Sequence, residues 1–399
     1  MKAPYYKVYI GKRDITQYVE SLNYEDTVEE DNLVVMEIDY NYAMELADDK
    51  DFSTGNMMSF QFGFMGEQVS ELHKARITDV THKYRERVSM TVKCLDLGTT
   101  VKKTTSQKIW KNKTSSEIAK EIAADYGLEA EVKPTTKKWA NLPQGNRSDL
   151  DFLKYLAARE DDGGFIVFIR NNTLYFNERG IKENSKVTFT YAWGDGTMIS
   201  FEPAVKESSQ SAHGVKTTAT HIDQKTGKVE KEEVDNDKET KTGTTGNYKV
   251  YRGEDGKFVG NKRVGKPNTQ PVADKREAKN LANHSKKKAS LEGVTAKLVI
   301  EGNPLVTPNC VITIKNVAKR HLGNWYVKKV THNIRGQAYV TTLDLAQNGS
   351  KVKTATKAKD ANTSVGADKP KEQVKVRVYK GEDGKFVGYS SKSTTVKKK

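Results

Sequence analysis

The chain has 399 residues, of which 36 % are hydrophobic and 30 % are charged. Its mean hydropathy of −0.74 is polar for a globular protein, so this length predicts two or three domains with solvated linkers. No run approaches the roughly 20 apolar residues of a membrane helix, and the first residues lack the basic and apolar regions of a signal peptide. These properties exclude a helical membrane protein and predict a soluble protein, made in the cytoplasm, without membrane insertion.

The net charge of +15 is unevenly distributed. Residues 1–60 contain five lysines and arginines against thirteen acidic residues, whereas residues 347–399 contain fourteen against five. Basic side chains in that tail alternate with Thr, Ser and Ala rather than with aromatic residues, which favours a solvated extension. A basic nucleic-acid-binding protein remains the alternative interpretation.

Residues 1–100 are predicted to form a first domain made of β-strands. Five runs rich in β-branched and aromatic residues, separated by turn residues, lie between Tyr5 and Gly98. An acidic segment, DTVEEDN (26–32), falls between two of these runs. It lacks the alternating ligands and central glycine of a calcium loop, so we interpret it as a solvated loop.

Residues 101–195 are predicted to form an α+β middle domain. In TSSEIAKEIAADYG, Thr114 and Glu117 have the spacing of a capping box at the start of a helix. A second helix begins in SDLDFLKYLAAREDDGG, with Ser148 as its predicted cap and two glycines as its end. The apolar runs FIVFIR and TLYF flank a pair of asparagines that begins at Asn171, which favours a hairpin.

Residues 196–345 are predicted to form a second β domain like the first, with a hairpin insert near 243–270 and a helix over about 272–289. Periodicity ends after this domain, so residues 346–399 are predicted to be a basic, flexible linker with a C-terminal hairpin extension. The predicted fold class is therefore mainly β, with two similar β domains flanking an α+β middle domain.

A three-residue phrase occurs twice, as Val80-Thr81-His82 in TDVTHKY and as Val330-Thr331-His332 in KKVTHNI. The segments GNMMSFQFGF (55–64) and PNCVITIKNV (308–317) precede the two copies, and VSMTVKCLDL and AYVTTLDL, both closing on Leu-Asp-Leu, follow them. Three matched elements in the same order indicate a duplicated structural unit. The alternative is that β-rich segments resemble one another by composition.

The segment GEDGKFVG also occurs twice, at 253–260 and 381–388, each time after Val-Tyr and a basic residue. Asp-Gly between short apolar segments predicts a β-hairpin. Two interpretations remain, a small hairpin in linker-rich surroundings and a docking module that is used twice. The candidate docking residues are Gly253, Asp255, Gly256 and Phe258 in the first copy and Gly381, Asp383, Gly384 and Phe386 in the second.

Motifs for catalysis and ligand binding are missing from the sequence. The histidines lack metal-helix spacing, and the only two cysteines, Cys94 and Cys310, lie in strand-like runs, so we expect no metal site and no disulfide. Phosphate-binding loops and a nucleophile elbow are missing as well. Paired carboxylates occur at Asp149 with Asp151, which a helix cap explains, and at Glu160 to Asp162, which we interpret as solvated charge. We therefore expect no catalytic residue, no cofactor and no enzyme activity, with a peptidoglycan-degrading enzyme as the alternative.

Four stretches carry a resemblance to a known family. They are RSDLDFLKYLAAREDDGGFIVFIRNNTLYF (147–176), HIDQKTGKV (221–229), ADKREAKNLANHSKKKASLEG (273–293) and EGNPLVTPNCVITIKNVAKRHLGNWYVKKVTHNIRGQAYVTTLDL (301–345). In this order and spacing they resemble the contractile-phage late control proteins, the baseplate hubs, which are related to the hub part of type VI secretion spike proteins. The insert near Gly253 and the tail after residue 345 depart from the family's pattern.

The resemblance implies that the two β domains are tube-type β-barrels and that three chains form a homotrimer. Six like units would then face a hexameric tail tube, so the duplication would solve a symmetry mismatch. The expected partners are the tail tube protein, the central spike protein and other baseplate proteins, with transient passage of DNA. The expected location is the virion tail, after assembly in the cytoplasm of a host bacterium. His82 and His332 would lie at matching barrel positions, as structural residues rather than ligands.

Overall fold

A long sheet with mainly antiparallel strands forms the framework of the protein in the computed structural model. The structure describes residues 3–96, 98, 101, 105, 107–160, 163–180, 187–192, 197–205, 216–222, 229–235, 275–347, 377–380 and 386–390. Two compact units divide the chain, residues 1–353 and residues 354–399.

The strands of the first unit are β1 (Pro4–Ile10), β2 (Arg13–Asp14), β3 (Val19–Thr27), β4 (Leu33–Ile38), β5 (Met57–Phe64), β6 (His73–Lys83), β7 (Ser89–Leu95), β8 (Ile109–Thr114), β9 (Glu129–Val132), β10 (Lys138–Pro143), β11 (Phe165–Arg170), β12 (Thr173–Glu178), β13 (Val187–Thr190), β14 (Ser200–Val205), β15 (Lys216–Ile222), β16 (Val229–Asp235), β17 (Val294–Glu301), β18 (Val311–Lys315), β19 (Gly323–Arg335) and β20 (Ala338–Gln347). Its α-helices are α1 (Tyr40–Ala43), α2 (Ser115–Asp125), α3 (Asp149–Ala157) and α4 (Lys275–Gly293). The second unit contains β21 (Arg377–Lys380) and β22 (Phe386–Ser390). In the described part of the chain, no helix has the length and apolar character that a membrane crossing needs.

The long sheet is a tandem repeat of four strands. Its order runs β14-β17-β20-β19 and continues with β3-β4-β7-β6. In one half, β18 pairs with β19, and β13 pairs with β18. In the other half, β5 pairs with β6, and β1 pairs with β5 in the same way. Six strands in each half therefore follow the same chain order. The β1–β5 pair is antiparallel and the β13–β18 pair is parallel, whereas the other matched pairs agree in direction. We call residues 4–95 the N-terminal β unit and residues 187–347 the C-terminal β unit. These units confirm the predicted fold class of two similar β domains.

Alternating side chains of these strands form a hydrophobic core in each β unit. In β5, Met58, Phe60 and Phe62 are buried and alternate with more exposed residues, as expected for a strand with one face on a core. In the C-terminal β unit, Leu298 and Trp325 are buried in the same way. Each such side chain contributes about 1.5–3 kcal/mol relative to an exposed one.

The middle domain lies between the β units in the chain and has the local structure that its sequence predicts. The hydroxyl of Thr114 accepts a hydrogen bond from the N–H of Glu117, and the carboxylate of Glu117 accepts one from the N–H of Thr114. These two bonds confirm the capping box. The hydroxyl of Ser148 accepts a hydrogen bond at the start of α3. The β11–β12 hairpin turns at Asn171 and Asn172, both with positive φ. Helix α3 ends at its C-cap, Ala158, before the glycines predicted to end it.

Asp26 and Glu160 lie in the two acidic segments that we interpret as solvated, and both are in fact buried, so that interpretation is wrong for these two residues; Glu29 and Glu30 of the first segment are exposed. Asp26 is 3 % exposed and Glu160 is 7 % exposed. The guanidinium of Arg170 lies 3.6 Å from Asp26, and the Ser115 hydroxyl donates to Glu160 at 2.6 Å. Both partners are far away in sequence, and local spacing therefore gave no sign of them.

A hairpin and a helix are inserted in the C-terminal β unit. β15, β16 and α4 lie between β14 and β17, where the N-terminal β unit passes directly from β3 to β4. The helix predicted at about 272–289 is confirmed as α4. The insert predicted near 243–270 lies outside the described residues.

Helix α4 is attached to the middle domain by a buried ion pair. The carboxylate of Glu277, 2 % exposed, accepts a hydrogen bond from Nε of Arg159 at 2.5 Å. The guanidinium carbon of Arg159 also lies 3.4 Å from the centre of the Tyr155 ring. Lys137 adds a second cation 3.4 Å from Glu277. Removing two charges from water is costly, and the attraction between them offsets that cost only while both are present.

We expect Arg159→Met to lower the free energy of unfolding by about 3–5 kcal/mol, because it leaves the buried Glu277 carboxylate without its guanidinium partner. Urea unfolding followed by circular dichroism measures this change. The double variant Arg159→Met/Glu277→Leu should recover most of the loss, since no buried charge is left unpaired. Lys137→Met is the matched control and should cost less than about 1 kcal/mol, because its side chain is one-third exposed. Equal losses for the two single variants would contradict a dominant role of Arg159 in balancing the Glu277 charge.

Candidate functional site

The two β units join edge to edge through β3 and β19. Seven successive antiparallel pairs run from Lys329 with Thr27 to Arg335 with Ser21. One edge of β19 pairs with β20, and its other edge pairs first with β18 and then with β3. Nζ of Lys329 also lies 2.5 Å from the Glu25 carboxylate across the junction. The β3–β19 junction therefore continues the ladder of one unit into the other.

The repeated Val-Thr-His residues occupy equivalent positions in their ladders. Val80 pairs with Val92 of β7, and Val330 pairs with Leu343 of β20. In both strands the register shifts by one residue just before the repeated phrase, between Ile77 and Asp79 in β6 and between Val327 and Lys329 in β19. A β-bulge at the same place in both hairpins indicates a duplicated unit rather than a likeness of composition.

The segments that flank the repeated phrase match in order but not in the register that their letters suggest. By the ladders, Cys94 is the equivalent of Leu345, so the two Leu-Asp-Leu triplets are offset by three residues. Gly55 is the equivalent of Asn309, since both have positive φ and both donate to the carbonyl three residues before the repeated valine. Aligned by their letters, Gly55-Asn56 and Pro308-Asn309 would match Asn56 with Asn309, and the hydrogen bonds shift this match by one residue.

His332 lies at the junction, among aromatic rings from both β units. It is 2 % exposed, and the hydroxyls of Tyr339 and Thr341 lie 2.9 and 3.3 Å from its Nδ1. Its ring centre is 4.5 Å from that of Phe62 and 6.1 Å from that of Tyr24. Burial lowers the pKa of His332 to about 3, so the ring is neutral at physiological pH. These contacts give His332 a structural role.

His82 has the same ladder position in a different environment. It is half-buried, and its Nε2 is shielded from solvent without a hydrogen-bond partner among the described residues. In the ladders, Val88 and Met90 are the equivalents of Tyr339 and Thr341, the two residues whose hydroxyls lie beside His332. His82 and His332 therefore lie at matching ladder positions, but only His332 has hydrogen-bond partners for its ring among the described residues. The structural role expected for His82 stays a prediction.

His73 is a third histidine of this region, and the sequence did not single it out. It is buried in β6, with its ring centre 5.1 Å from that of Phe60 and 4.8 Å from that of Tyr24. Burial lowers its pKa to about 3. A single histidine between Leu72 and Lys74 gives no sequence signal of burial, and only the fold of the strand reveals it.

Two buried carboxyl groups lie near the contact between the N-terminal β unit and the middle domain. Burial raises the pKa of Asp26 to about 7, although the nearby Arg170 charge opposes the rise. Burial also raises the pKa of Asp96 to about 7, and its carboxylate accepts the N–H of Gly98 at 3.0 Å. Shifts of this size occur at catalytic sites and in structural clusters alike. Here the packing of the fold accounts for them.

The acidic pair predicted at the start of α3 has structural partners. The carboxylate of Asp149 accepts hydrogen bonds from Tyr126 and Gln144. The N–H of Asp151 donates to the Ser148 hydroxyl. Within the described ranges, no three His, Cys, Asp or Glu side chains are grouped as metal ligands would be.

The candidate docking residues lie mostly outside the described part of the chain. This applies to Gly253, Asp255, Gly256, Phe258, Gly381, Asp383 and Gly384. Phe386 begins β22, which pairs antiparallel with β21 in the unit 354–399. The docking role of the two GEDGKFVG segments stays a prediction.

Two edges of the tandem sheet have no strand beside them in the part of the chain that the structure describes. β14 pairs with β17 alone. In β6, pairing with β5 covers His73–Arg76, so residues 79–83 pair with β7 alone. A groove of about 480 Å³ lies beside this segment, lined by residues from 47–54 and 78–82. Unpaired strand edges bind further strands, and these two edges are the candidate functional site.

Comparison with known proteins gives a family and a fold. Residues 25–336 match the family described as the Alg8 N-terminal domain. A tail protein from Neisseria meningitidis has a TM-score of 0.62 and 13 % identity, with 87 % of this chain and 97 % of that chain covered. The prophage MuSo2 tail protein from Shewanella oneidensis has a TM-score of 0.59, 13 % identity and the same coverages. The prophage tail protein gp18 from Listeria monocytogenes has a TM-score of 0.50 and 12 % identity, with 85 % and 94 % covered.

Among curated proteins, none matches the chain. At identities of 12–13 % the structural likeness establishes the fold alone. The chain therefore has the fold of phage tail proteins, and the resemblance seen in its sequence is confirmed at that level.

We expect Asp96→Asn to change how stability depends on pH. Because the pKa of this carboxyl rises from 3.8 to about 7 on folding, the group lowers the free energy of unfolding progressively as the pH increases between these values. Asparagine cannot ionise, so the stability of the variant relative to the unsubstituted protein should increase by roughly 2–3 kcal/mol from pH 5 to pH 8. Urea unfolding at both pH values measures the difference. Asp48→Asn, on the surface, is the control and should follow the unsubstituted protein. Parallel pH dependences for Asp96→Asn and that control would refute the expectation.

Proposed function

We propose that this chain, which belongs to the Alg8 N-terminal domain family and has the fold of phage tail proteins, is a structural hub of a phage tail or a phage-like injection particle. The fold, rather than the family's description, supports this role. The observation that carries the proposal is the tandem sheet, which has two like β units and, among the residues that the structure describes, an unpaired strand edge on β14 and on residues 79–83 of β6.

In this proposal three copies form a ring. Each chain contributes two like units, so the ring has six similar faces although its true symmetry is threefold. A contact between two different edges of the same chain is heterologous, and such contacts close into a ring when the rotation between copies returns to its start. The sixfold face would match a hexameric tail tube, while the threefold symmetry would match a trimeric spike.

The proposed hub is a contractile-tail component of the late control type. Its partners are the tail tube protein, the central spike protein and neighbouring baseplate proteins, and DNA passes through the ring without sequence-specific binding. Interfaces that must withstand contraction are of the obligate class, which buries roughly 2,000–5,000 Å². Strand pairing between copies would supply both backbone hydrogen bonds and apolar burial to such interfaces.

The proposed role is mechanical and includes no catalytic step. Support comes from the carboxylates that could have served an enzyme. Asp149 and Glu160 are both buried and hydrogen-bonded by neighbouring side chains, as parts of the fold. A glycosidase instead needs two carboxyl groups that flank a substrate.

We expect the purified protein to form a species of three times the 44.7 kDa chain mass, with a central hole and a pseudo-sixfold outline. Light scattering over a range of concentrations measures the mass, and negative-stain images of the same sample give the outline. A chain that stays monomeric and also fails to bind tube and spike proteins would overturn the proposal. Clearing of peptidoglycan would favour an enzyme instead, and DNA affinity that falls steeply with salt would favour a nucleic-acid binder.

A further inference from the structure

We propose that residues 79–83 of β6 pair with β14 of a second copy of this chain, in the register that β19 and β3 use within the chain. This inference deepens the proposed function, on which the identity of the partner rests. It assigns the residues of the contact between subunits.

The tandem sheet is the pattern for this contact. β19 ends the first group of four strands, and the strand beside it is β3, which begins the next group. β6 ends the second group and has no strand in the corresponding place among the described residues. β14 is the equivalent of β3 and has one free edge there. Continuing the sheet beyond β6 therefore calls for the β14 strand of another copy.

The ladders inside each unit define the register of this contact. Thr81 and His82 take the positions of Thr331 and His332, which pair with Glu25 and Tyr24 in the internal junction. β3 pairs with β4, which pairs with β7, and β14 pairs with β17, which pairs with β20. Because β7 and β20 are matched residue by residue, these ladders make Pro203 and Ala204 of β14 the equivalents of Tyr24 and Glu25 of β3. The proposed pairs are Thr81 with Ala204 of the partner subunit, His82 with Pro203 of the partner subunit, and Lys83 with Glu202 of the partner subunit.

Burial differs between the two units on the strands that would meet. In β19, beside β3, the inward side chains of Val330, His332 and Ile334 are no more than 2 % exposed. Of their equivalents, Val80 and His82 are only half-buried, and Tyr84 is 65 % exposed. A strand laid along β6 would cover these side chains as β3 covers those of β19.

The opposite strand shows the same difference. Leu22 and Tyr24 in β3 are at most 4 % exposed. Their equivalents in β14, Phe201 and Pro203, are partly exposed. Both members of the proposed contact therefore lack the cover that the internal junction gives to their equivalents.

Pro203 fixes which backbone groups of β14 face the open edge. Proline has no N–H, and β14 pairs with β17 without interruption, so the nitrogen of Pro203 points away from β17. In the proposed ladder the N–H of His82 then donates to the Pro203 carbonyl, with no return hydrogen bond. The neighbouring pairs, which include Thr81 with Ala204, are of the close type without backbone hydrogen bonds, about 4.5 Å between Cα atoms.

Charges on the outer face are complementary. Lys83 and Glu202 are polar residues near the open edges, and neither forms an ion pair with another described residue. In the proposed register they lie directly opposite each other. The internal junction also has a cross-strand pair of opposite charges, Lys329 and Glu25, although these two are diagonal neighbours rather than directly opposite. Opposite charges at such positions favour pairing.

Cysteine cross-linking tests the register. Thr81→Cys and Ala204→Cys, prepared as two separate variants and mixed under oxidising conditions, should give covalent dimers on a denaturing gel, because each chain has one reacting end. The double variant Thr81→Cys/Ala204→Cys should also give covalent trimers. The matched control combines Thr81→Cys with Glu202→Cys, a diagonal pair about 7–8 Å apart, beyond the reach of a disulfide. Cys94 and Cys310 are buried and should not react.

The outcomes separate this inference from the hub proposal. Cross-linking of the direct pair but not of the diagonal pair supports the register. Trimers by light scattering with no cross-link of the direct pair, in variants whose thermal unfolding is unchanged, overturn the register and leave the hub standing. Cross-linked open chains without closed rings support the strand contact and count against a threefold ring. A chain that remains monomeric at all concentrations overturns both.

Charge reversal gives an independent test without new covalent chemistry. Lys83→Glu places a carboxylate opposite Glu202 and should weaken association roughly two- to tenfold, as measured by the concentration at which trimers dissociate. Lys74→Glu is the matched control, since Lys74 is exposed on the same strand but lies in the part of β6 that pairs with β5. Equal effects of the two variants would contradict the proposed contact.

Discussion

The organisation of this protein depends on the backbone hydrogen bonds at the edges of its strands. An edge strand presents unpaired N–H and C=O groups that bind another strand whenever one is available. Inside the chain, β3 occupies the edge of β19 and joins the two β units into one sheet. Within the described ranges, β14 and residues 79–83 of β6 each keep an unpaired edge, and the same pairing between copies would satisfy both.

The internal junction also explains why the two copies of one motif differ in chemistry. His332 is enclosed between rings of both β units, and its Nδ1 has hydroxyl partners. Val88 and Met90 give His82 no such partners, and no strand covers it within the described residues. The two copies therefore share one backbone arrangement, whereas the environment of each histidine depends on whether another strand packs beside it.

Features governed by neighbours in sequence could be predicted from the sequence alone. The capping box at Thr114 and the hairpin turn at Asn171 are of this kind, and the repeated Val-Thr-His located the duplication. The residue-by-residue match between the two units could not be predicted from the sequence, because it depends on bulges in β6 and β19 that form against β7 and β20. The burial of Glu160 depends on Ser115, 45 residues away, and that of Asp26 depends on Arg170. No local pattern encodes such long-range partners.

A duplicated chain has a physical advantage over six separate copies of one unit in the proposed ring. Half of the junctions then lie within chains, where covalent linkage gives the second strand a high effective concentration. Duplication also lets the halves diverge away from the shared sheet. The middle domain lies between the β units, and the β15–β16 hairpin and α4 are inserted only in the C-terminal one. These elements would occur three times around a ring whose sheet repeats six times, so one chain could present sixfold symmetry through its strands and threefold symmetry through its insertions.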